Sequence, residues 1–175
     1  VPRCKICRDK FTAKYFLQKA CLNPACLAEW SNLDREGKAD KKHKARKKEY
    51  YDNHKPTRTE AAQKYFNTYI RLRDSNCNCI SCGRSTGCKI NAGHYKSVGS
   101  TPELRFNELN VHLQCEHCNM FKSGNIENYR INLINKIGLD KVEWLEGAHE
   151  PKKYTCAELK EIELMYKEKT KKYLN

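Results

Sequence analysis

Eight of the eleven cysteines stand in close pairs, and that spacing constrains the chain more than any other feature. Cys79-Ile80-Ser81-Cys82 and Cys115-Glu116-His117-Cys118 are C-x-x-C knuckles separated by residues 83–114. Each knuckle puts two sulfurs on one side of a tight turn, and two facing knuckles make a tetrahedral Cys4 zinc site. Cys4, Cys7, Cys21 and Cys26 offer a second set, with a wider gap in its second pair that still suits structural zinc. Two closed sites of this kind serve folding, since neither keeps a coordination position open. Thiols so close in sequence ligate one ion more readily than they bond to each other, which indicates a reducing compartment and not a secreted disulfide scaffold. Cys77, Cys88 and Cys156 are left over, with Cys77 a competitor for the place of Cys79.

Metal staples fit the composition. Charged residues make up 31% of the 175, and the stretch before residue 60 has few aliphatic side chains, so small modules are expected in place of one large core. With 34 basic against 21 acidic residues the net charge is +13, a field that attracts polyanions, nucleic acid first among them. A ribosome-like or merely adhesive basic protein would share that charge. No apolar run approaches the roughly 18 residues of a membrane span, and nothing resembles a signal peptide. The chain opens on Val1 without an initiating Met, as a trimmed chain or a stretch inside a longer reading frame would.

The layout reads as an N-terminal zinc-binding module at 1–30, a basic helical or flexible arm at 31–56, a zinc-stapled core at 57–138 and a helical segment at 139–175. In the arm, Lys41, Lys42, Lys44, Arg46, Lys47 and Lys48 are candidate phosphate contacts. Pro56 marks a boundary. Thr57 with Glu60 suggests a capping box for a helix over 58–73, whose apolar side carries Ala61, Tyr65, Tyr69 and Leu72. Residues 74–124 read as strands, knuckles and turns. A helical period resumes from Asn125 to Ile137 and stops at Gly138, and a last helix begins at Thr155 with Glu158 completing a second capping box.

Within and after the second pair of knuckles stand His94 in Ala-Gly-His-Tyr, Asn110 five residues before Cys115, and Asn119 directly after Cys118. This order resembles the HNH, or ββα-metal, nuclease motif in its H-N-N form, and with a Cys4 zinc it is similar to endonuclease VII-like Holliday-junction resolvases. The longer string Cys-Ile-Ser-Cys-Gly, Ala-Gly-His-Tyr, Leu-Arg-Phe-Asn-Glu, Gln-Cys-Glu-His-Cys-Asn and Lys-Ser-Gly-Asn resembles more closely the phage NinG/Rap recombination family, over about residues 58–175. The resemblance implies a small α+β fold: a zinc-stapled ββα-metal core flanked by helices, beside the N-terminal zinc module. It also implies a metal-dependent endonuclease that cuts branched DNA such as Holliday junctions and D-loops. For a phage-encoded chain the compartment is the host cytoplasm.

Phosphodiester hydrolysis needs a base for water and positive charge for the phosphate. His94 is the candidate base, Asn119 a candidate ligand to one catalytic Mg²⁺ or Mn²⁺, and Asn110 a residue that orients the His94 loop through its backbone. His112 could be a further ligand, a phosphate contact or a plain strand residue. Many HNH enzymes carry an acidic metal ligand immediately before the base, where this chain has Gly93; Glu103, Glu108, Asp74 and Asn91 are the residues that could replace it. That gap favours an alternative, a zinc-stabilised DNA-binding accessory protein without cleavage. A site-specific double-strand HNH endonuclease is a third reading. A homodimer is expected from the two-fold symmetry of a four-way junction, with the apolar stripes of the helices near 58–73 and 155–174 as its surfaces unless they pack within one chain.

Overall fold

A computed structural model describes residues 1–85 and 89–174 as two compact units, Val1–Asp52 and Asn53–Asn175. Cys88 lies outside the described residues.

In the first unit, a short turn-rich segment folds around buried Cys4, Ala20 and Cys26, with Ile6, Phe11, Leu27 and Trp30 packed against them. Helix α1 follows over Pro24–Asn53. Its start obeys local rules: Asn23 Oδ1 accepts hydrogen bonds from the backbone N–H of Ala25 and Cys26, and Pro24 occupies the first turn, where a missing N–H costs nothing. The boundary expected at residue 30 falls inside this helix, which continues past Gly37 to Asn53. Module and arm are therefore one unit. Along α1 only Cys26 is buried.

Among the described residues the second unit has the helices α2 (Lys55–Arg73), α3 (Ile126–Ile137), α4 (Leu139–Glu146) and α5 (Cys156–Leu174) and a two-stranded antiparallel hairpin, β1 (Ile90–His94) with β2 (Val111–Cys115). It is a mixed α+β fold with a very small sheet. α2 begins at Lys55, earlier than the Thr57 capping box implied. Pro56 sits in its first turn instead of preceding it, and Thr57 Oγ1 bonds His54 Nδ1 at 2.8 Å instead of capping. At α5 the capping box forms: Thr155 N donates to Glu158 Oε2 (2.8 Å) and Glu158 N to Thr155 Oγ1 (3.2 Å). Gly138, at φ 93°, ends α3, a conformation that suits glycine.

Two apolar clusters flank the hairpin. Phe66, Tyr69 and Ile70 of α2 pack with Leu159 and Tyr166 of α5 and with Val111 of β2. Tyr129 and Leu133 of α3 pack with Val142 and Leu145 of α4, together with Ile80, Tyr95 and Leu104. The apolar stripes of α2 and α5 thus cover each other within one chain. Those stripes were the surfaces on which the dimer expectation rested, so they no longer argue for it. The same packing makes residues 139–175 part of the core unit, not a separate segment.

Beneath the hairpin lies a buried polar knot. Asp74, 2% exposed, receives Arg73 and the backbone N–H of Leu113, and Lys136 Nζ lies 3.1 Å away. Burial pushes its carboxyl up, but His112, Arg73 and Lys136 outweigh that and hold it far below the usual range.

Candidate functional site

Each cysteine set closes on itself. In Cys4, Cys7, Cys21 and Cys26, and again in Cys79, Cys82, Cys115 and Cys118, all four sulfurs lie within 4.8 Å of one another. Zn–S bonds of about 2.3 Å in a tetrahedron space sulfurs by roughly 3.8 Å. Cys7 and Cys21 are 3.9 Å apart and Cys82 and Cys115 are 3.7 Å apart, so each set could hold a zinc ion. Backbone N–H groups point at the sulfurs, from Ile6 and Cys21 to Cys4, from Cys115 to Cys79 and from Cys118 to Cys115. Burial alone would raise these thiols. For Cys4 the backbone donors prevail and bring it down to about 6, and for Cys79 to about 7, while Cys26 and Cys82 shift upward and Cys7 and Cys118 rise to about 12, so each set favours one thiolate to start metal binding. Cys77 is exposed and outside the cluster, as is His117, which stacks on Phe121. Cys156 Sγ lies 3.5 Å from the Asn53 carbonyl.

The second cluster ties the 79–82 loop to the end of β2, and the chain leaves Cys118 through a π-helical turn, His117–Phe121. That turn carries Asn119. His94 ends β1, and the two residues face one cavity of about 440 Å³, lined also by Tyr95, Ser97 and Ser123.

The hydrogen bonding of His94 defines its chemistry. Its Nε2 lies 3.0 Å from the Arg105 carbonyl oxygen. A carbonyl only accepts, so Nε2 carries the proton and Nδ1 keeps its lone pair. Burial lowers the pKa of His94 below its ordinary 6.5, against the opposing pull of the Arg105 carbonyl, and the ring is neutral at pH 7.

Asn110 is wholly buried and spends its side chain on the connection between the strands. Its Oδ1 accepts from Lys96 N at 2.7 Å, and its Nδ2 donates to the carbonyls of Lys96 (3.0 Å) and Leu104 (3.2 Å). The loop that brings Arg105 to His94 is thereby held. His112 is not part of this group. It is 2% exposed; its Nε2 donates to the Leu109 carbonyl and its Nδ1 meets Arg73 at 3.0 Å. With both ring nitrogens engaged in the polar knot, it is a satisfied core histidine and not a ligand or phosphate contact.

No carboxylate lines the cavity among the described residues. Asp74 belongs to the knot, and Glu108 accepts from Tyr69, Tyr166 and Lys169. The reason for Gly93 is steric. A Cβ built there would fall on Gln114 Oε1 and lie 2.9 Å from Gln114 Cβ. Gln114 is wholly buried, and its amide nitrogen donates to Ser81 Oγ (2.6 Å) and the Gly124 carbonyl (2.5 Å). The Gly93 carbonyl in turn accepts from Tyr129 OH at 3.0 Å. Sequence reasoning missed Gln114, although strand alternation puts it on the face of Asn91 and Gly93. Gly93→Ala is expected to destabilise the chain by about 1–3 kcal/mol. The double variant Gly93→Ala/Gln114→Ala should cost less than the sum of the single changes. Strictly additive melts would show that Gln114 does not occupy that space.

The family model described as "Bacteriophage Lambda NinG protein" matches residues 2–175. The chain belongs to the NinG family. It is 44% identical to Protein ninG of Escherichia phage lambda over 114 residues, 65% of this chain and 56% of that protein. It is 43% identical to Protein ninG of Escherichia phage 933W over 65% of this chain and 57% of the relative. With Protein ninG of Salmonella phage P22 the identity is 44%, over 63% of this chain and 54% of the relative. The matched stretch thus spans little more than half the length of these NinG relatives. No solved structure matches the chain significantly. Among the described residues no helix is long and apolar enough to cross a membrane.

Proposed function

We propose that this NinG-family chain is a structure-selective DNA endonuclease of the HNH (ββα-metal) type that cuts branched recombination intermediates. One observation carries the reading: a histidine whose Nε2–H is fixed on a backbone carbonyl, which leaves Nδ1 as its acceptor, lines a cavity with Asn119 beside a Cys4 cluster. In the hydrolysis, Nδ1 takes a proton from water as the water oxygen bonds to phosphorus and the P–O bond to the leaving strand breaks. Asn110 acts through the loop, keeping Arg105 against the ring. The branched substrate comes from the family resemblance alone.

The described residues do not make a divalent-cation site by themselves, because Asn119 brings one oxygen and no carboxylate joins it. Mg²⁺ or Mn²⁺ here would be held largely by substrate phosphate and water, and would supply positive charge to the phosphate. The same lack of a carboxylate favours the second reading, a zinc-stabilised DNA-binding accessory protein. Incubating the chain with Mg²⁺ or Mn²⁺ on a labelled four-way junction and on matching linear duplex separates them. Junction cleavage supports the nuclease, binding without cleavage in either metal supports the accessory protein, and equal cutting of linear duplex points to a site-specific nuclease. Two opposed nicks per junction also favour two copies acting together, a homodimer on DNA, which light scattering of the protein–junction complex checks.

The DNA-binding reading extends to α1. Lys41, Lys42, Lys44, Arg46, Lys47 and Lys48 are all exposed. At about 100° per residue they are distributed around the helix and form no single basic face, so one duplex meets only some of them. Changing Lys41, Lys42, Lys47 and Lys48 to Gln should therefore flatten the slope of log affinity against log salt by roughly 0.9 to 1.8, the value for one or two lost phosphate contacts. An unchanged slope would leave α1 a solvated helix with no part in binding.

A further inference from the structure

A second cavity, of about 220 Å³, lies where the first turns of α2 and α5 meet the turn Pro102–Leu104. Its wall carries Lys55, Arg105, Lys152 and Lys153, with Tyr154 beside them, and among the described residues no carboxylate lines it. Lys152 has partial compensation, an ion pair with Glu158 at 3.5 Å, but Glu158 is also engaged in capping α5. Among the described residues no ion pair engages Lys55, Arg105 or Lys153. Like charges gathered around one hollow repel each other unless an anion joins them, and the positive ends of the two helices add to the same field.

The placement relates this hollow to the candidate catalytic group. Arg105 lines the basic cavity, with its Nη1 also 3.5 Å from Gln63 Oε1, while its carbonyl accepts the proton of His94 Nε2. A phosphate seated on Arg105 would therefore sit on the same residue whose carbonyl orients the base. We propose that this cavity is a phosphate-binding subsite, and that the phosphate is a backbone phosphodiester of the strand presented to His94. The strand assignment rests on the nuclease reading above, whereas the anion site rests on its own lining.

The test uses the zinc-loaded full chain without added Mg²⁺ or Mn²⁺. Affinity for a labelled duplex is measured across a salt series, and binding of inorganic phosphate is followed by line broadening in ³¹P spectra. Lys55→Gln/Lys153→Gln changes two exposed side chains, so folding is preserved, and the charge-matched control is Lys64→Gln/Lys141→Gln, also exposed and off the cavity. The cavity variant should flatten the salt slope by roughly 1.8, two contacts at about 0.9 each, and the control by less than half of that. Broadening of inorganic phosphate by the control but not by the cavity variant assigns the site to free phosphate as well as to a strand. A change confined to the duplex slope assigns it to the strand alone. Equal slopes for the two variants, with phosphate signals alike, would overturn the subsite. Since the readout is binding, a chain that never cleaves DNA would refute the nuclease reading and leave this site standing.

Discussion

Cys115→Ser is expected to unfold the Asn53–Asn175 unit and to leave the first unit with its own zinc. Cys79, Cys115 and Cys118 are 1–2% exposed and form a cluster of their own, at the end of β2, apart from the aliphatic cores. The hairpin has only five residues in each strand, and such a pair is marginal alone. Hydrogen bonds from Ile80 N to the Leu113 carbonyl and from Gln114 to Ser81 join it to the 79–82 loop, and a zinc ion on the four sulfurs would lock that junction. Structural zinc in small domains contributes on the order of 10–16 kcal/mol of apparent folding free energy, comparable to or above the roughly 5–15 kcal/mol stability of a whole domain. Losing one of four ligands should therefore abolish the cooperative melt of this unit. Elemental analysis should fall from two zinc ions per chain to one, and circular dichroism should retain the α1 signal. Cys7→Ser should give the converse, one zinc with the second unit intact. A Cys115→Ser chain that keeps two ions and melts near the parent temperature would remove the structural role assigned to this cluster.

Replacing His94 with Ala is expected to lower junction cleavage by about 10²–10⁴-fold while changing junction affinity little, because a general base acts mainly in the transition state. The parent's pH profile carries a second, independent signature. Only the neutral ring accepts a proton, and burial, partly opposed by the Arg105 carbonyl, places its pKa below 6.5. Cleavage should thus rise with pH through a pKa under 6.5 and level off at neutrality. Stability follows the same sign. His94 and His112 both have lowered values in the folded chain, so the unfolded chain takes up protons first and stability declines as pH falls below about 6.5. Asn110→Ala should also lose activity, but through the loop that holds Arg105, and with a stability loss that His94→Ala does not share. A folded His94→Ala chain with parental rates would end the assignment of the base.

Spacing along the chain was enough to read the two cysteine sets, the helix of α3 with its glycine stop, and the Thr155–Glu158 cap of α5. These depend on interactions within a few residues, where composition and period decide the outcome. The family resemblance singled out His94, Asn110 and Asn119; His94 and Asn119 line one cavity, whereas Asn110 is buried in the loop behind His94. The start of α2 was misplaced by Thr57, because a capping box competes with any earlier first turn and Pro56 fits one. The short helix α4 and the π-helical turn at Asn119 left no periodic signal.

Other features came only with the tertiary structure, and for one reason: each depends on which side chain fills a given space. Gly93 looked like a missing ligand until Gln114, a residue of the neighbouring strand, was found in the volume a side chain would need. His112 could be read as a ligand, a phosphate contact or a plain strand residue until Arg73 and Leu109 were seen to take both its nitrogens. The apolar stripes of α2 and α5 could serve a second copy or each other, and only the packing around Phe66 and Tyr166 chose the second. Sequence determined which chemistries the chain carries; packing across long separations decided which of those groups face solvent and which are consumed in holding the fold.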